Sequence, residues 1–191
     1  MSDIIKVQTN NTTASMNMRR SPFIATEAKI KEHAVTALSA LYGSEELSKY
    51  APPDGSHEGF GELASLSGEI FEGHMVALAA MVRAVDEQFD SFTEYQKRNP
   101  NGVGKLETEK GSIILTVREA CNKIIHANEA QLEWRVLTAH PLYEQIYQAN
   151  HGELGQKYKV PFLSVMGTHR GKKWHATINL ILWVHAVCFY T

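Results

Sequence analysis

Apolar positions fall into helical spacing over the first two-thirds of this chain and into alternation further on. Over residues 26–41, Ile30, Ala34, Ala37, Leu38 and Leu41 recur at helical intervals, and Gly43 follows as a stop signal. Residues 44–50 read as a short acidic, helical turn before the breaker Pro52-Pro53-Asp54-Gly55. The strongest pattern comes next. Phe71, Met75, Leu78, Val82, Val85, Phe89 and Phe92 alternate steps of four and three residues, which places all seven on one stripe. With Leu63 and Leu66 upstream, this predicts a helix over residues 58–95, bent at Gly68 or Gly73. Such a stripe needs a cover, from a helix of the same chain or across a dimer.

Asn99-Pro100-Asn101-Gly102 with Gly104 marks a loop. A second apolar helix is expected over residues 112–127, where Ile113, Ile114, Val117, Ala120, Cys121, Ile124 and Ile125 make a wide core face. Residues 131–136 then alternate with period two and predict a strand. Residues 161–166 and 174–179 also read as strands, joined into a hairpin by the turn at 167–173. Residues 143–155 fit either a short helix or a long loop, and residues 180–190 a closing helix packed back on the bundle. The first 22 residues, rich in Asn, Thr and Ser, read as a flexible arm. The expected architecture is mainly α: one helical-bundle domain over residues 23–191 with a small C-terminal β appendage.

Composition changes this picture little but narrows the functions. At 191 residues and 21.4 kDa, with 43% hydrophobic and 21% charged residues, the chain suits one domain with one core. A wholly disordered chain would be poorer in apolar residues, and a disulfide scaffold needs more than two cysteines. Cys121 and Cys188 each sit in an apolar stretch and read as reduced, buried thiols. Nineteen basic against 21 acidic residues give a net charge of −2, which argues against a broad cationic face for duplex binding but permits a local basic cleft. The opening residues carry no apolar signal-peptide core. The most apolar segment, 178–190, falls short of the about 20 residues that span a bilayer and contains His185. A cytoplasmic location, away from membranes, is the expectation.

Most cofactor chemistries fail on spacing. No Glu stands three residues before a His, as a di-iron bundle requires, and His57-Glu58-Gly59-Phe60-Gly61 lacks the second His of a zincin. Gly102-Val103-Gly104-Lys105 is followed by Leu106 rather than Ser or Thr, and Gly59-Phe60-Gly61 lacks a third glycine. No metal and no cofactor is therefore expected. What remains is a polar stripe: Arg118, Asn122 and His126 are spaced four and four apart and stack along one helix face. The guanidinium can grip phosphate oxygens, the imidazole can move a proton near neutral pH, and the amide can orient either. Lys123 adds a local cation for substrate binding. Those are the parts of a metal-independent RNA cleavage. The plainer reading is that Arg118 and Asn122 brace a neighbouring segment and His126 ends the helix.

The run Val117-Arg118-Glu119-Ala120-Cys121-Asn122-Lys123-Ile124-Ile125-His126-Ala127 resembles the signature helix of the HEPN superfamily. The later segment Gly171-Lys172-Lys173-Trp174-His175-Ala176-Thr177-Ile178-Asn179 resembles part of a group of bacterial HEPN-like proteins. Asn122 with His126 matches the polar-then-histidine half of the motif. The arginine that usually precedes the polar residue is Cys121 here, and Arg118 stands one turn earlier. The resemblance implies a helical bundle that pairs as a homodimer. It also implies either a metal-independent RNase of a toxin–antitoxin or phage-defence system, acting on RNA and held by a cognate antitoxin, or a catalytically silent nucleotide-binding or protein-interaction module. In the first case His126 is the acid or base, Arg118 binds phosphate and Asn122 orients.

Overall fold

A computed structural model describes residues 27–51, 59–90, 92–142 and 157–190. The expected arm (1–22), the breaker at 52–55 and the ambiguous stretch 143–155 lie outside the described residues. Helix α1 (Glu27–Ser48) packs on α2 (Phe60–Phe89). Ile30, Ala34, Ala37 and Leu41 of α1 and Phe71, Met75, Leu78 and Val82 of α2 are all buried. From Phe71 to Val82 the apolar stripe is thus covered within the chain, by α1 on one side and α4 on another. Gly43 does not stop α1, which continues through the acidic turn.

The long helix expected over 58–95 is two. Asp90 adopts a left-handed conformation (φ 49°), and its N–H reaches the Asp86 carbonyl at 2.8 Å, closing α2. The chain restarts as α3 (Phe92–Arg98), with the Phe92 N–H donating to Asp86 Oδ1 at 3.3 Å. Phe92 therefore stays buried, while Phe89 at the end of α2 is left exposed.

The larger correction concerns residues 104–127. Gly104–Thr108 is a strand, β1, and Gly111–Leu115 is its hairpin partner, β2. Only then does a helix begin, α4 (Val117–Ile125). Ile113 and Ile114 belong to the sheet, not to a helix. The break is fixed by Thr116. Its side-chain oxygen accepts the Glu119 N–H at 3.2 Å, and the Glu119 carboxylate accepts the Thr116 N–H at 3.2 Å, a reciprocal cap that starts α4 where it does.

Three strands follow: β3 (Glu129–Leu137), β4 (Tyr158–His169) and β5 (Lys172–Asn179). The hairpin between β4 and β5 turns on Arg170 and Gly171, both at positive φ (50° and 77°), the conformation a two-residue primed turn demands. Asn179 then caps the last helix, α5 (Leu180–Tyr190), its side-chain oxygen accepting the N–H groups of Ile181 and Leu182 at 3.1 and 3.2 Å.

All five strands join one antiparallel sheet in the order β2-β1-β5-β4-β3. Among the described residues 55% are helical and 28% lie in strands. The mainly α, HEPN-like bundle with a β appendage is therefore replaced by a mixed α/β fold in which the sheet is a full layer. Helices α4 and α5 contact the sheet directly. Leu106, Leu163, Val165, Trp174, Ala176 and Ile178 line its core face and are buried. The alternate positions Glu107, Met166 and Lys173 are exposed, and Ser164, His175 and Thr177 are half-buried. One sheet face is packed and the other is open, the usual condition of an antiparallel sheet. Among the described residues, no helix is long and apolar enough to cross a membrane.

Candidate functional site

The stripe singled out in the sequence lies on α4, whose polar side chains take up different partners. Arg118, 47% exposed, points back to α2, where Nη1 sits 3.2 Å from the Asp86 carboxylate and Nη2 4.0 Å from Glu87. Asp86 itself is only 3% exposed. Asn122 Oδ1 is buried with no hydrogen-bond partner among the described residues. His126 is the exposed C-terminal cap of the helix. Lys123 turns toward the sheet, its Nζ 4.3 Å from the Trp174 ring centre, and burial there lowers its pKa from the usual lysine value. Cys121, where the HEPN signature has its arginine, is buried, and burial pushes its thiol up to about 12. It is a core residue with no nucleophilic character at neutral pH.

A second grouping lies on the open face of the sheet. Strand register puts Glu107 of β1 opposite His175 of β5, His175 opposite Met166 of β4, and Met166 opposite Glu129 of β3. This row, with Glu109, Asn128, Thr168, Lys173 and neighbouring backbone, lines an open cleft of about 620 Å³. His175 is held from both sides. Its Nε2 lies 2.6 Å from Ser164 Oγ, and its Nδ1 lies 3.2 Å from Glu107 Oε2. An ionised carboxylate only accepts, so when the ring is neutral Nδ1 carries the proton and Nε2 accepts from the Ser164 hydroxyl. With 36% of its side chain exposed, the imidazole remains reachable from the cleft. The arrangement can exchange a proton with a bound molecule without any metal. Among the described residues, no group of three or more His, Cys, Asp or Glu side chains is placed to hold an ion.

Trp174 and Gly167, at positions on the packed face, also border the cleft. They face each other across β4 and β5, and a Cβ on Gly167 would lie 2.3 Å from Trp174 Cζ2, so the indole occupies the space a side chain would take. The candidate residues read from the sequence, on α4, do not include His175, Ser164 or Glu107. Alternation along 174–179 gave the face of His175. Its partners are 11 and 68 residues away and became neighbours only through strand order.

No family model, curated protein or solved structure matches the chain.

Proposed function

We propose that the chain binds a small polar molecule in the cleft on the open sheet face, with His175 as the group that exchanges a proton with it. The observation that carries this reading is an imidazole fixed by two hydrogen bonds yet open to a cleft of about 620 Å³, a volume within the usual range of small-ligand sites. The lining sets a charge preference. Glu107, Glu109 and Glu129 stand against the single ammonium of Lys173, which favours neutral or amine-bearing molecules and disfavours phosphates. A library of small amines, esters and carboxylic acids, screened by amide chemical shifts, should move Glu107, Met166, Lys173 and His175 together, with amines ahead of acids. Shifts confined to another part of the molecule would refute the assignment.

A second reading, the metal-independent RNase, keeps one observation in its favour: the unpartnered, buried oxygen of Asn122 on the same stripe as Arg118 and His126. In that reading a second copy and a cognate antitoxin would pair with the α4 surface. Its test is RNA cleavage with EDTA present. A catalytic His126 requires His126→Ala to lose about 10²–10⁴ in rate. On the cleft reading, wild type shows no cleavage above a mock purification and His126→Ala changes nothing.

A further inference from the structure

We propose that Ser164, half-buried on the open sheet face just beyond the residues that line the cleft, is a nucleophile activated by His175, so that this face transfers acyl groups from small carboxylic esters bound beside His175. This rests on the cleft reading above and deepens it. The sequence of contacts is hydroxyl, imidazole, carboxylate: Ser164 Oγ at 2.6 Å from Nε2, and Glu107 Oε2 at 3.2 Å from Nδ1. A base within hydrogen-bond reach of a hydroxyl, and itself oriented by a third group, is the arrangement that turns a weak alcohol into a nucleophile. Each member comes from a different strand, so β-ladder register fixes their spacing rather than a loop. Glu107 on β1 and Met166 on β4 flank His175 directly, and Ser164 lies two positions from Met166 on the same face.

The developing negative charge on a substrate carbonyl needs donors. Strand β4 is paired on both sides, so its backbone amides are committed to the ladders. Side chains must serve instead. Gln131 of β3 and Thr177 of β5 stand directly opposite Ser164 on its two sides, and Lys105 of β1 stands opposite Thr177. All share the open face, and an amide, a hydroxyl and an ammonium are each able to donate to an oxyanion.

The step balances without a cofactor. Ser164 Oγ bonds to the acyl carbon as its proton passes to His175 Nε2. The carbon–oxygen bond to the leaving alcohol breaks, and that oxygen takes the proton from Nε2. Water then attacks the acyl-serine and gives a proton to Nε2. Ser164 Oγ departs with that proton, so the acid is released and the hydroxyl restored. Glu107 stabilises the transient imidazolium and holds the ring, which makes it a positioning residue.

The test uses the full chain with two probes, p-nitrophenyl acetate and an alkyl fluorophosphonate, read by p-nitrophenol release and by intact mass with peptide mapping. One adduct per chain at Ser164 is expected, with a burst of p-nitrophenol equal to the protein concentration. Ser164→Ala, which removes a single oxygen, should abolish the adduct. His175→Gln should slow labelling by about 100-fold or more, and Glu107→Gln should slow it less and alter its pH profile. A fluorophosphonate that leaves Ser164 unmodified, or labels it equally in His175→Gln, overturns the proposal. Small-amine binding is measured in parallel on Ser164→Ala, by the same amide shifts. Binding without labelling in wild type refutes the nucleophile and keeps the cleft; labelling at Ser164 without small-molecule binding refutes the cleft reading alone.

Discussion

Trp174→Ala will lower the stability of the fold by about 3–5 kcal/mol, the usual cost of emptying a large aromatic site. The ring is 6% exposed, with Lys123 above it and Gly167, which has no side chain to fill the space, against its other side. For a domain of this size that is a drop on the order of 10 °C in melting temperature. An unchanged melting temperature would show that the indole is not docked. Gly167→Ala sharpens the test. In wild type the new methyl collides with the indole at 2.3 Å and must destabilise. In the Trp174→Ala background that collision is gone, so the second substitution should cost far less. Additive effects would mean the two residues do not touch.

Arg118→Ala is the other large effect, and it separates a structural role from a chemical one. The guanidinium pairs with Asp86, a carboxylate that is 3% exposed and also accepts the Phe92 N–H at 3.3 Å. Removing it strands a buried charge, which typically costs about 3–5 kcal/mol; the half-exposed guanidinium already shares its charge with water, so about 3 kcal/mol is expected here. Adding Asp86→Asn removes the stranded charge while keeping an oxygen for Phe92, and should recover most of the loss in urea unfolding. A fully stable Arg118→Ala would show that the ion pair does not hold α4 to α2.

The helices were legible because their cover is local. Alternating steps of three and four in α2, and the apolar run that became α5, follow from side chains whose neighbours are close in sequence. The sheet was only half legible. Residues 131–136 alternate, residues 161–166 and 174–179 read as extended, and each falls within an observed strand. Strands β1 and β2 were missed because Ile113 and Ile114 run on without alternation into Val117, and helical spacing absorbs them. The signal that separates them was present in Thr116 and Glu119, a capping box whose first residue cannot lie inside a helix. The α4 stripe was legible as spacing, but spacing could not show that Arg118 faces a buried aspartate one helix away. The trio on the sheet face was invisible for the same reason, since strand order brings it together and local pattern does not reveal strand order.

That strand order also dictates when the molecule can finish folding. Strand β1 leans on β5, pairing Thr108 with Trp174 and Gly104 with Ile178, separations of 66 and 74 residues. The hairpin β1–β2 leaves the ribosome with its inner edge bare and must wait until residues 174–178 are made before a partner exists. Closing so long a loop is entropically slow, and until it closes the apolar side of the hairpin and the unfilled edge of β4 are open to other chains. The last strand to be made is thus the keystone. Synthesis that stalls before residue 172 leaves two half-sheets with sticky margins, so truncated chains should aggregate rather than persist as smaller folded domains.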